Sequence, residues 1–229
     1  MEDASQVDVT KGIKIQLKFV PGKKLLYQLD TQIDQQISRG EEILNENESG
    51  FQSQLLQKIL ATEKDGSGHI VTIITPPDPD PDQGRQVVYQ HTDATGAILE
   101  ISGMSPSNSF ALPDGVVKKD EAWFGEVAIP LPQNPEPILC TTEYVVTGTE
   151  SFAGLDCVSI ECTAEEFEFQ MPNNQGTTPV TMSSNGTMLF APKEGLLARL
   201  ELETITSVFA DGVYFTTTAL LTQEFQGFQ

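Results

Sequence analysis

The sequence is poor in positive charge and has no long apolar run. Thirteen Lys and Arg stand against 33 Asp and Glu, a formal net charge of −20, and a surface of that sign repels phosphate backbones and anionic headgroups. Nucleic acid is therefore not an expected partner. No apolar stretch approaches the ~20 residues of a spanning helix, so no transmembrane segment is expected. The start, Met1-Glu2-Asp3-Ala4-Ser5-Gln6, has neither the basic residues nor the apolar core of an export signal, which fits a cytoplasmic protein or a mature segment whose signal has been removed.

Catalytic and metal-binding signatures are missing as well. There is no Gly-x-Ser-x-Gly, no phosphate loop, no dinucleotide fingerprint and no metalloprotease helix. The two histidines, His69 and His91, lie in separate strand-like segments without a nucleophile motif and read as strand residues. Three cysteines without a Cys-x-x-Cys spacing do not make a zinc site. No catalytic residue, metal or cofactor is assigned, and a non-enzyme is expected; a hydrolase whose site one sequence does not reveal is the weakest alternative. Asp78, Asp80 and Asp82 resemble an oxygen cage for Ca²⁺, but the prolines between them hold an extended rod and no glycine turn follows, so a solvated acidic loop is the reading.

What is present is alternation. Ile13, Ile15, Leu17 and Phe19 alternate with polar residues, and Pro21-Gly22 leads into a long strand carrying Tyr27, Leu29, Ile33 and Ile37. Arg39 to Gly50 is polar and reads as a loop, containing the sequon-like Asn47-Glu48-Ser49. Phe51 to Glu63 fits either a helix or one arm of a hairpin with Ile70 to Thr75. Strands at Arg85 to Thr92 and Ala97 to Ser102 follow. Gly103 to Pro137 is broken by six prolines and reads as a joining segment between an N-terminal half (13–102) and a C-terminal half (138–226) of one β domain. Six strands before it and five after are expected.

In the second half, Ile138 to Thr149 and Leu155 to Phe169 pair, with a bulge near Ala164-Glu165-Glu166 reconciling two parities. Asn185-Gly186 predicts a type I′ hairpin placing Met182 opposite Leu189, because both turn positions need φ > 0. Turns at Pro192 to Gly195 and at Asp211-Gly212 put Leu202 opposite Leu221, Thr204 opposite Ala219 and Val208 opposite Phe215. The fold class expected is all-β: a curved antiparallel meander of about 11 strands, half-barrel or open barrel, with little helix. If the hairpin centres near Ser151, Cys140 faces Cys162 and a disulfide between them is expected, Cys157 staying free; three buried reduced thiols are the alternative.

Three segments resemble a known family when taken together: Lys118 to Trp123, Tyr144 with Gly148 to Ile160, and Asn185 to Gly195. In this order they are similar to a family of bacterial envelope proteins, many exported or lipid-anchored, whose sheets resemble the half-barrels of the lipoprotein carriers of the Lol pathway. Glu121-Ala122 stands here where a Gly-Asp pair usually precedes the tryptophan, and no anchoring cysteine lies near the start. The resemblance implies an extracytoplasmic location and a concave apolar face lined by Leu200, Leu202, Val208, Phe215, Ala219 and Leu221, able to hold a lipid or other apolar ligand. A structural or interaction module docking a protein partner by that face, or around Trp123, is the alternative.

Overall fold

The computed structural model describes residues 7–76, 84–102, 110–129, 137–173 and 176–229. Asp78, Asp80 and Asp82, and most of the prolines between Gly103 and Pro137, lie outside them. Thirteen strands account for the regular structure of the described residues. The first six are β1 (Ile13–Lys14), β2 (Lys24–Arg39), β3 (Glu42–Thr62), β4 (Gly68–Thr75), β5 (Gln86–Thr92) and β6 (Ile98–Ser102). They are followed by β7 (Val116–Val117), β8 (Ala122–Ile129), β9 (Ile138–Phe152), β10 (Leu155–Asn173), β11 (Gly176–Ala191), β12 (Leu196–Ala210) and β13 (Val213–Phe228).

Eleven of them form one antiparallel sheet in the order β6-β5-β4-β3-β2-β13-β12-β11-β10-β9-β8, while β1 pairs with β7 alone. The sheet is two meanders joined along β2 and β13, and it stays open because β6 and β8 are edges. The period-two pattern fixes its two sides. Leu200 and Leu202 on β12 share the inner face with Met188 of β11, Ile160 of β10 and Tyr144 of β9 across the ladders, whereas Arg199, Glu201 and Glu203 face outward. The turn at Asp211-Gly212 sets Leu202↔Leu221, Thr204↔Ala219 and Val208↔Phe215 as expected, and the bulge falls between Ala164 and Phe167.

Three segments differ from their sequence reading. Asn185-Gly186 is no turn: β11 runs straight through it, Met182 pairs with Thr206, and Leu189 with Arg199. Glycine serves close approach here, since any Cβ on Gly186 would overlap the Glu201 carbonyl of β12, and a glycine inside a strand marks such contact as readily as a turn. Arg39 to Gly50 is no loop but the end of one hairpin, with Ile37 paired to Asn45. Its side chains are exposed on both faces of β3, so no alternation exists to reveal a strand. Gly103 to Pro137 does contain regular elements, β7 and β8. The doubtful stretch Phe51 to Glu63 resolves as strand, not helix.

An open sheet must cover its apolar face with other chain. In the C-terminal half the cover is residues 7–17 together with 110–117, the two passes zipped by β1 and β7. Ile15, fully buried, packs with Val9, Leu112 and Val117 onto Tyr144, Ile160, Phe190 and Leu200. A polar latch fixes this cover. Trp123 stacks on Tyr144 at 5.2 Å, the Trp123 Nε1–H donates to the Ala111 carbonyl at 3.0 Å, and the Ala111 amide donates to the Tyr144 hydroxyl at 3.1 Å. The Lys118-Lys119-Asp120-Glu121 motif turns the chain into β8, with Asp120 at φ 61° and the Lys118 amide donating to the Glu121 carboxylate.

Replacing Tyr144 with Phe keeps the ring and removes the partner of the half-buried Ala111 amide. The expected cost is ~1–1.5 kcal/mol in urea unfolding, the loss of one hydrogen bond from a partly shielded donor. A loss well below 1 kcal/mol would show that the latch is not structural.

Candidate ligand-binding cavity

Beyond Ile15 the chain no longer pairs as a strand but continues as a strap toward the N-terminal half of the sheet. The Leu17 amide donates to the Ala94 carbonyl in the β5–β6 turn, and the Lys18 amide to the Gly195 carbonyl in the β11–β12 turn. The Lys18 ammonium donates to the carbonyls of Pro192 and Lys193 at 2.8 and 2.9 Å. Farther on, the Phe19 carbonyl accepts from the Thr62 hydroxyl. The Phe19 ring packs on Ile59 and Ile70 and occupies the space where a Cβ on Gly68 would stand.

The strap does not fill the inner face here as residues 7–15 do farther along. Between Leu17, Phe19, the inward side chains of β2 to β6, Phe110 and the β11–β12 turn lies a cavity of about 370 Å³, a size within the range of small-molecule sites. Its apolar wall includes Leu25, Tyr27, Leu55, Ile70, Val88 and Ile101, and its polar groups are Thr72, Thr92, Gln57, Gln86, Gln90 and Gln223, with Lys18 at the strap. Leu25, Tyr27, Ile59 and Ile70 are buried. Burial also drives the Tyr27 hydroxyl pKa well above the usual phenol range.

The six residues expected to line a site do share the inner face, but none of them lines this cavity. Leu200 belongs to the closed core, with Leu202 and Leu221 packed against it. Val208, Phe215 and Ala219 lie toward the other end of β12 and β13, where Phe215 is 42% exposed. The sequence carried no clear signal for the actual lining: on β4 and β5 the outward Val71, Ile73, Val87 and Tyr89 are at least as apolar as the inward Thr72, Gln86 and Gln90.

The expected disulfide does not form; Cys140, Cys157 and Cys162 are all free and buried. The β9–β10 turn is the two-residue Ala153-Gly154, with φ 50° and 77°, not a loop centred on Ser151. A register shift at Ser159/Ile160 then sets Cys162 opposite Tyr144, while Cys140 faces Val127 of β8. Four residues of strand separate Cys140 from the position opposite Cys162, about 13 Å, far beyond disulfide reach. Burial pushes the Cys157 and Cys162 thiols up to about 11.

His69 and His91 face each other across β4 and β5 on the outer side of the sheet, rings stacked at 4.2 Å. His69 bonds the Tyr89 hydroxyl at 2.7 Å and the Glu63 carboxylate at 3.0 Å. The His91 Nε2 lies 2.8 Å from the Ser67 hydroxyl, which donates to Asp65 at 2.7 Å. Asp65 thus holds the serine and not the imidazole, and the order in which a carboxylate orients a base is not made. The carboxylate closes the β3–β4 turn, and bonds from the Ser67 hydroxyl and amide lower its pKa. No group of three metal-ligating side chains is found among the described residues, nor a helix long and apolar enough to cross a membrane.

No family model and no curated protein matches the chain. Among solved structures it is similar to lipovitellin, in a structure titled "Lipid-protein interactions in lipovitellin", at 15% identity and a TM-score of 0.40. The match covers 93% of this chain and 26% of that one, so the chain spans about a quarter of the length of the protein it matches.

Two outcomes follow from the strap and the thiols. Gly68→Val, which drives a side chain into the Phe19 ring, speeds hydrogen exchange at the Leu17 and Lys18 amides relative to the core amides of β9 and β10; unchanged strap protection would refute the packing described. For the thiols, the folded protein holds the Cys157 and Cys162 protons more tightly than the unfolded chain. Stability is therefore full below about pH 9 and falls as pH rises toward 11, a decline that the double variant C157A/C162A flattens when urea midpoints are compared at pH 8 and 10.5.

Proposed function

We propose that the protein is a non-enzymatic binding protein that holds a small apolar ligand between the strap and the inner face of β2 to β6. The observation that carries this reading is the cavity of about 370 Å³, walled by apolar side chains and a few uncharged polar ones. An ordinary core would close such a space, because interiors pack densely and voids cost contacts. An extracytoplasmic location is part of the proposal and rests on the envelope-family resemblance of three sequence segments, one of which runs as strand at Asn185-Gly186; the three separated thiols lend it no support.

The test is mass spectrometry of gently purified protein, native and after organic extraction. One apolar molecule per chain is expected, and the cavity-filling variant Val88→Trp is expected to lose it while keeping the wild-type circular dichroism spectrum. Equal occupancy in the folded variant would sink the reading.

A second reading, docking of a partner protein on the outer face of β8 and β9, is favoured by one observation. Phe124 of β8 and Leu139 of β9 are 69% and 58% exposed. Trp123 itself is latched inward and is not the docking group. In this reading Phe124→Asp abolishes a native complex without touching ligand occupancy; a complex that survives the substitution argues against it.

A further inference from the structure

Resting on the cavity reading, we infer that its ligand is an uncharged single-chain amphiphile, such as a monoacylglycerol, an acyl amide or a long-chain alcohol, and not a fatty-acid anion or a phospholipid. Three observations converge on this class. The first is charge. Asp and Glu make up 33 of the 229 residues, yet among the described residues no Asp, Glu, His or Arg lines the cavity. Among the described residues Lys18 is the one cation that lines it, and two of its three ammonium N–H groups are held by the Pro192 and Lys193 carbonyls. A carboxylate or phosphate would have to share that single ammonium with the two carbonyls, and burying an incompletely paired ion is costly.

The second is a polar group without a partner. Tyr27 lines the cavity and is 2% exposed, and buried tyrosine hydroxyls usually find a hydrogen bond. Among the described residues none bonds this one, and its raised pKa has desolvation as its sole cause. The register sets uncharged amides on either side of it. Gln57 pairs with Leu25, and Gln223 with Leu29, so both are diagonal neighbours of Tyr27 on the inner face. Tyrosine and glutamine together offer O–H and N–H donors and carbonyl acceptors, a match for an ester, amide or hydroxyl.

The third is size. A volume of about 370 Å³ lies near the lower end of small-molecule sites, which suits one acyl chain with a compact head and leaves no room for two chains.

The experiment is calorimetric titration of the delipidated full chain at pH 8 with three twelve-carbon probes below their micellar concentrations: 1-monolaurin, dodecanol and laurate. The inference expects monolaurin and dodecanol to bind one per chain and laurate to bind at least tenfold more weakly. Tyr27→Phe removes no bond made within the described protein, so its urea midpoint stays at the wild-type value while monolaurin affinity falls about tenfold. Gln57→Lys supplies a cation not held by backbone carbonyls and raises laurate affinity above that of wild type. Laurate binding as well as monolaurin overturns the inference and leaves the cavity reading standing. Failure of all three probes, with a bound lipid of another kind found by extraction, also overturns the inference alone; failure with no extractable molecule overturns both. Equal monolaurin affinity in Tyr27→Phe removes the hydroxyl from the site.

Discussion

An open sheet with one apolar face cannot stand in water uncovered, and in this protein the covering is done by a few residues near the start of the chain. Their hold is mostly backbone. Leu17 and Lys18 donate to hairpin turns on either side of the β2–β13 seam, β5–β6 at one edge of the strand order and β11–β12 in the other half, so the strap ties the two halves of the sheet together across its inner face. Lys18 doubles the tie with its ammonium. The cover is tight where 7–15 lies over β9 to β12, giving a closed core around Ile15 and Tyr144, and thin where the strap passes β2 to β6, leaving the cavity. One chain segment thus makes both the core and the site.

Alternation and turn chemistry made much of the sheet legible in the sequence, and the failures have separate physical causes. Inward Leu200, Leu202 and Val208 against outward Arg199, Glu201 and Glu203 determined the face of β12, and Asp211-Gly212 its register with β13. Asn185-Gly186 misled because glycine permits both positive φ and close backbone approach, and only neighbours in space distinguish the two. Arg39 to Gly50 misled because a strand wet on both faces has no period to read. The Cys140–Cys162 pairing depended on a turn position, and one two-residue turn plus one bulge moved it by four residues. The cavity was legible only in fragments, since its lining comes from strands far apart in sequence and from a strap whose route no local pattern encodes.

The net charge of −20 gains meaning once its location is known. Among the described residues, acidic side chains populate the outer face, the turns and the exposed β2–β3 hairpin, and none lines the cavity. One cluster on the outer sheet is paired, Arg199 with Glu201 and Glu224. Segregation of this kind keeps a wide convex surface in water while the inner face remains uncharged.

The pairing of β2 with β13 places the first and last long strands side by side at the centre of the sheet. A ribosome makes β13 after every other strand of this sheet, so the two meanders meet only once it has emerged. Until then β2 and β12 are both unpaired on one side, two long edges of the kind that recruit neighbouring chains. Much of the pairing is local, hairpin by hairpin, but the seam that unites the halves spans nearly the whole chain, and joining it carries the largest loop-closure cost of the fold. Without β13 the two half-sheets would have nothing to zip them.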